Sequence, residues 1–115
     1  MTLADLQRMS ASRRELVLPY LQAIAALQLL EAVGAVLIGW EGWLRHPDGR
    51  LGHCGIHQGT TDISALSSSE AYQWVKASMC TSQKLHIQQT QSAAAELLFC
   101  ISVDGLEWTP ETPNT

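Results

Sequence analysis

The segment around Pro47 constrains the fold of this chain more than any other. Residues 36–44 are rich in Val, Leu, Ile and Trp, and the turn sequence RHPDGR follows at residues 45–50. In such a turn Pro presets the backbone, Asp hydrogen-bonds neighbouring main chain and Gly accepts a positive φ angle. The sequence therefore predicts a β-hairpin whose return strand covers residues 51–58.

The predicted return strand is unusually rich in glycine, with Gly52 and Gly55 inside it. Glycine weakens a strand, because it has no side chain to pack and loses much backbone freedom on folding. We therefore expect a β-bulge here, or a close approach by another group.

The N-terminal third of the chain predicts two helices. Thr2 and Asp5 have the spacing of a capping pair, and the first helix should end before Pro19. Pro19 then suits the first turn of a second helix, and Gly34 suits its end. Apolar residues cover nearly every side of this second helix, so we expect burial on nearly every side. One long helix kinked at Pro19 is the alternative.

A third helix is predicted over residues 68–80, because Ser67 and Glu70 have capping-box spacing. Its buried side chains should form one of two neighbouring stripes: Ala71, Trp74, Val75 and Ser78, or Tyr72, Val75 and Met79.

Two further strands complete the prediction. Residues 84–90 alternate in polarity and favour a strand, although Gln and Lys also extend helices, and residues 97–103 predict a central strand covered on both faces. The order is α-α-β-β-α-β-β, a single small α+β domain over residues 1–105. N-terminal helices and a central helix pack on a small, mainly antiparallel sheet. Residues 106–115 should form a flexible tail, which Trp108 pins to the body.

Charge is scarce for a small acidic protein of 115 residues. Only 16% of the residues are charged, the net charge is −4 and no basic cluster occurs, which argues against nucleic-acid binding. Between residues 16 and 38 the sole charged residue is Glu31. An apolar, nearly uncharged stretch indicates a surface that contacts another chain, and a homodimer is the default because twofold dimers are the commonest homo-oligomers.

The predicted location is the cytoplasm. Three widely spaced cysteines cannot form a complete disulfide framework within one chain, which fits a reducing compartment. Arg13 and Arg14 before an apolar run resemble a twin-arginine export signal. However, Gln22, Gln28 and Glu31 interrupt the run, which also argues against a membrane span or a membrane partner.

The hairpin carries the residues best suited to metal or thiol chemistry. His53 and His57 would lie on one side of a regular strand and Cys54 on the other, so the three converge as metal ligands only across a bulge. His46 lies apart, in the turn. Cys54 or Cys80 activated by a histidine would make a thiol enzyme, whereas Cys100 is expected to be a buried small hydrophobe. No cofactor motif occurs, so no cofactor is expected.

The function favoured by these patterns is binding. Trp40 and Trp43 lie three residues apart and should occupy opposite faces of a strand, one in the core and one exposed or at an interface. Glu41, between them, is expected to face solvent on an edge strand. We expect a small cytosolic binding or regulatory module that acts through protein–protein contact, and the patterns favour binding over catalysis. The candidate contact residues are Trp40, Glu41, Trp43, His46, His53 and His57. The alternatives are a small-ligand or metal-binding protein that uses the His-rich hairpin, and a Cys-dependent enzyme.

Overall fold

Three helices and four strands form in the part of the chain that the computed structural model describes. The structure describes residues 2–12, 15–59, 66–89 and 95–104. For residues 53–59 and 89 it describes the backbone alone. The elements are α1 (Leu3–Met9), β1 (Leu16–Pro19), α2 (Tyr20–Ala32), β2 (Val36–Arg45), β3 (Leu51–Gly59), α3 (Ser68–Gln89) and β4 (Glu96–Asp104). The predicted α+β class is confirmed. Residues 106–115, the predicted tail with Trp108, lie outside the described residues.

The strands form one antiparallel sheet in the order β1-β4-β2-β3. β4 therefore lies between two strands, as the alternation over residues 97–103 predicts. Leu97, Phe99 and Ile101 are buried on one face of the sheet, and Leu98 and Cys100 are buried on the other.

The three helices cover the first of these faces. Their apolar side chains pack with the sheet into the main core, which includes Leu18, Leu27, Leu30, Tyr72, Val75, Met79 and Phe99. Of the two stripes predicted for α3, the one with Tyr72, Val75 and Met79 is buried, whereas Trp74 is exposed. Burial of this helix face against the sheet supplies the main driving force for folding.

The predicted hairpin is confirmed together with its turn chemistry. The His46 N–H donates to the Arg50 carbonyl at 2.9 Å, and the Gly49 N–H donates to the His46 carbonyl at 2.8 Å. The Asp48 carboxylate accepts from the Arg50 N–H at 3.0 Å, and Gly49 has a φ of 92°. Asp48 and Gly49 thus have the roles that their chemistry predicts.

The first helix is much shorter than predicted. α1 ends at Met9, and the chain then forms β1 up to Pro19, with α2 beginning at Tyr20. Leu16 and Leu18 point to the helix side of the sheet and Val17 to the other, so the buried alternation of a strand overrides helix propensity here. Both predicted capping pairs form, Thr2 with Asp5 and Ser67 with Glu70.

The predicted strand over residues 84–90 is wrong, because α3 continues through Gln89. Leu85 and Ile87 both lie exposed on this helix, so their alternation does not reflect a buried face. Lys and Gln, which are good helix formers, extend the helix instead. The His86 ring Nε2 lies 2.9 Å from the Ala95 carbonyl and ties the end of α3 to the start of β4.

The prediction that α2 is buried on nearly every side is also wrong. Ala23, Ala26, Leu27 and Leu30 are buried, but Leu21 and Gln28 are exposed. The buried side of α2 carries no charge because it is in the core, and Glu31, which is half-buried, is the sole charged residue of the helix.

Candidate functional site

The sheet face away from the helices, here called the second face, holds two of the candidate contact residues, Glu41 and Trp43. Val17, Leu98 and Cys100 are buried on this face, and Ala11 and Trp43 pack against them half-buried. The strand register explains the grouping, since Val17 and Glu41 both lie opposite Cys100, and Trp43 lies opposite Leu98. Directly opposed residues in antiparallel strands share a face.

Trp40 and Trp43 lie on opposite faces, as their spacing predicts. The Trp40 ring is buried in the main core, 5.2 Å from Phe99 between ring centroids, and its Nε1–H donates to Ser78 Oγ at 3.3 Å. Trp40 therefore stabilises the contact between β2 and α3 and is not available to a partner. Trp43, which is half-buried, is the tryptophan at the surface of the second face.

Glu41 is bound to its tryptophan neighbour. The Trp43 Nε1–H donates to Glu41 Oε2 at 3.2 Å, and Glu41 is half-buried. The expectation of an edge strand is wrong, because β2 lies between β4 and β3. The bond gives the second face a fixed pair of an indole ring and a carboxylate.

Cys100 and Glu15 form a second polar pair on this face, which the sequence analysis did not predict. The Cys100 thiol donates to Glu15 Oε2 at 3.3 Å. Burial raises the pKa of the Cys100 thiol well above its ordinary value, and the carboxylates of Glu15 and Glu41 raise it further. Cys100 therefore remains a neutral thiol and is unsuited to nucleophilic chemistry.

Cys80, the candidate thiol whose side chain the structure describes, lies on α3 beside a tyrosine. The interaction of its side chain with Tyr20, together with burial, raises the pKa of the Tyr20 hydroxyl. Cys80 and Cys100 thus contact a phenol and a carboxylate, and neither contact supplies the basic imidazole that a thiol enzyme needs.

The hairpin histidines lie at separate positions along the strands. His46 is in the turn, and His53 is the register partner of Trp43. Gly42 pairs with Cys54, but its neighbour Glu41 pairs with Gln58. The register therefore shifts between these two pairs, and His57 lies within the shift. The irregularity predicted from the glycines is thus confirmed. The side chains of His53, Cys54 and His57 lie outside the described residues, and among the described side chains no three His, Cys, Asp or Glu residues could hold a metal ion.

Three exposed aliphatic side chains follow α2, and we call them the α2–β2 patch. Val33, Val36 and Ile38 are 64%, 62% and 60% exposed. Leu37, between the last two, is buried in the main core, so strand alternation directs Val36 away from the helix layer. Ile38 lies exposed where the register with β4 shifts. The nearly uncharged stretch of residues 16–38 was the sequence signal for this patch.

None of the described helices is both long enough and apolar enough to cross a membrane. Comparison of the chain with protein-family models, curated proteins and solved structures finds no match.

Proposed function

We propose that this chain is a small binding or regulatory module that acts through protein–protein contact, assembles as a homodimer and binds its partner through the α2–β2 patch. The single observation that carries the proposal is the exposure of Val33, Val36 and Ile38 within a stretch whose sole charged residue is Glu31. Clustered apolar surface is typical of an interaction site, and Asp104, the register partner of Val36, supplies a charge beside it.

The surroundings of the patch suit a protein partner better than a small ligand. Val36 pairs with Asp104 of β4, and Ile38 lies at the register shift between Leu37 and Gly39, both of which pair with β4. The backbone on each side of Ile38 is thus held by the sheet, which limits the conformational entropy lost on binding. Trp43 and its bound Glu41 lie farther along β2, where an aromatic ring and an oriented carboxylate can supply specificity at the rim.

Lysine substitution in the patch tests this proposal. Ile38→Lys, made on immobilised protein, should abolish capture of a specific protein from an extract of the cells that make this chain, because the apolar contact is replaced by a solvated charge. Ile87→Lys is the matched control, since Ile87 is 61% exposed and lies on α3. A partner retained equally by both variants, or the absence of any protein that Ile38→Lys loses selectively, would contradict the proposal.

A metal site on the hairpin is the second candidate, and the register shift between Cys54 and Gln58 favours it. A bulge changes the alternation of side chains, which is the condition for His53, Cys54 and His57 to converge. Protein purified without chelator or affinity tag should then contain one zinc, cobalt or copper ion per chain. His57→Ala should lose that metal and His46→Ala should keep it, whereas substoichiometric metal in the unaltered protein would rule this candidate out.

A further inference from the structure

The two edges of the sheet differ. At the β1 edge, the Val17 N–H donates to Ser10 Oγ at 2.8 Å and the Val17 carbonyl accepts from the Ala11 N–H at 2.9 Å. The segment after α1 thus occupies the main-chain groups that another strand would need. At the opposite edge, no strand within the described ranges lies beyond β3.

The hairpin ladder determines which groups of β3 point outward. The bond between the His46 N–H and the Arg50 carbonyl marks His46 and Arg50 as a hydrogen-bonded pair. Along an antiparallel ladder, hydrogen-bonded pairs alternate with pairs whose main-chain groups point away from each other. Gly52, the partner of Leu44, therefore directs its main-chain groups at β2. Leu51 and His53 direct theirs away from the sheet.

β3 lacks the charged and proline residues that commonly protect an edge strand. The segment Leu51–Gly59 contains no Asp, Glu, Lys, Arg or Pro. Its register shift, another common protection, lies beyond Cys54, so residues 51–54 form a regular edge. A Cβ atom added at Gly52 would meet nothing within 4 Å, so the space above the sheet at this position is open. A second copy of the same edge would bring no like-charged Asp, Glu, Lys or Arg side chains together.

α3 presents an apolar flank on the same side of the molecule. α2 packs against α3, and the interaction of Cys80 with Tyr20 identifies the flank of α3 that lies beside α2. At 3.6 residues per turn, Trp74 and Leu85 fall on a common line about 120–140° around the helix from Cys80. Both are exposed, and they lie on the flank away from α2, where α3 packs over β2 and β3.

We propose that β3 pairs antiparallel with β3 of a second copy, centred on Gly52, so that Leu51 faces His53 of the partner subunit across a twofold axis. Neighbouring strands lie about 4.8 Å apart, and the axes of packed helices lie about 8–10 Å apart. Because α3 lies over β2 and β3, pairing of the two β3 strands brings the two α3 helices of the dimer within packing distance of each other. Because the β1 edge is occupied, the assembly closes at two copies and does not form a fibre. The inference rests on the homodimer in the proposed function and assigns its interface, leaving the α2–β2 patch free for a different protein.

Two double variants test the interface by charge. Leu51→Lys with His53→Lys places like charges opposite each other across the axis, whereas Leu51→Lys with His53→Glu places opposite charges there. Sedimentation velocity should show the dimer dissociation constant raised about tenfold or more in the first variant and kept near that of the unaltered protein in the second. Circular dichroism verifies that both variants fold.

Each outcome distinguishes the interface from the broader function. A dimer that survives in the Lys–Lys variant, or is lost equally in both variants, overturns the β3 interface while leaving the homodimer and the α2–β2 patch in place. An unaltered protein that is monomeric throughout overturns the interface and the homodimer together, and binding by the patch is then judged by Ile38→Lys alone. Dimer loss confined to the Lys–Lys variant supports the inference.

Discussion

Removing the Tyr72 hydroxyl should destabilise the protein through one buried bond. Tyr72 on α3 is fully buried, and its hydroxyl donates to the Ala35 carbonyl at 2.7 Å, which joins α3 to the chain between α2 and β2. Tyr72→Phe keeps the ring and leaves that carbonyl without this donor. An unsatisfied buried group costs about 1–2 kcal/mol, and for a domain of this size that lowers the Tm by about 5–10 °C.

Urea unfolding followed by circular dichroism measures the change, which should appear as a lower midpoint at constant slope. Tyr20→Phe is the matched control, because Tyr20 is half-buried and a thiol is a weak hydrogen-bonding partner, so its loss should cost less than about 0.5 kcal/mol. If Tyr72→Phe unfolds at the same urea concentration as the unaltered protein, the bond does not anchor α3.

Alkaline pH tests the same site. Burial, and then the negative charge of Glu31, raise the pKa of Tyr72 above 10, so the folded state keeps a proton that the unfolded state has lost. Stability should therefore fall as the pH rises through and above 10, and this fall should be smaller in Tyr72→Phe. Equal pH dependence in both proteins would contradict the assignment.

Three other predictions concern single elements. Cys80 should react with a disulfide reagent at least about tenfold faster than the buried, neutral Cys100, as measured by mass spectrometry of labelled peptides; similar rates would contradict the burial of Cys100. Gly49→Ala should destabilise by about 1 kcal/mol because of its positive φ, whereas Gly52→Ala, which meets open space, should change stability by less than about 0.5 kcal/mol in urea unfolding. Carbon chemical shifts over residues 84–89 should be helical, and strand-like shifts would refute the length of α3.

Local chemistry accounts for what the sequence predicts well. The hairpin turn and both capping pairs depend on residues a few positions apart, so Pro47, Asp48 and Gly49 suffice to predict the turn. The buried strand β4 is equally clear, because its apolar residues leave no polar face. These elements establish the α+β class.

The elements that the sequence does not predict depend on distant contacts. β1 is only four residues long and is a strand because β4, more than 75 residues later, pairs with it. The bond between Cys100 and Glu15 joins residues 85 positions apart, and no spacing rule predicts such a pair. The full length of α3 is not predicted, because apolar and polar residues alternate at its exposed end as they do in a strand.

The molar mass of the protein in solution, measured by light scattering across a concentration series, tests the central claim most directly. If the chain pairs with its own copy, the molar mass should rise from the 12.6 kDa of one chain toward twice that value as the concentration increases. A constant 12.6 kDa up to millimolar concentration would contradict the homodimer.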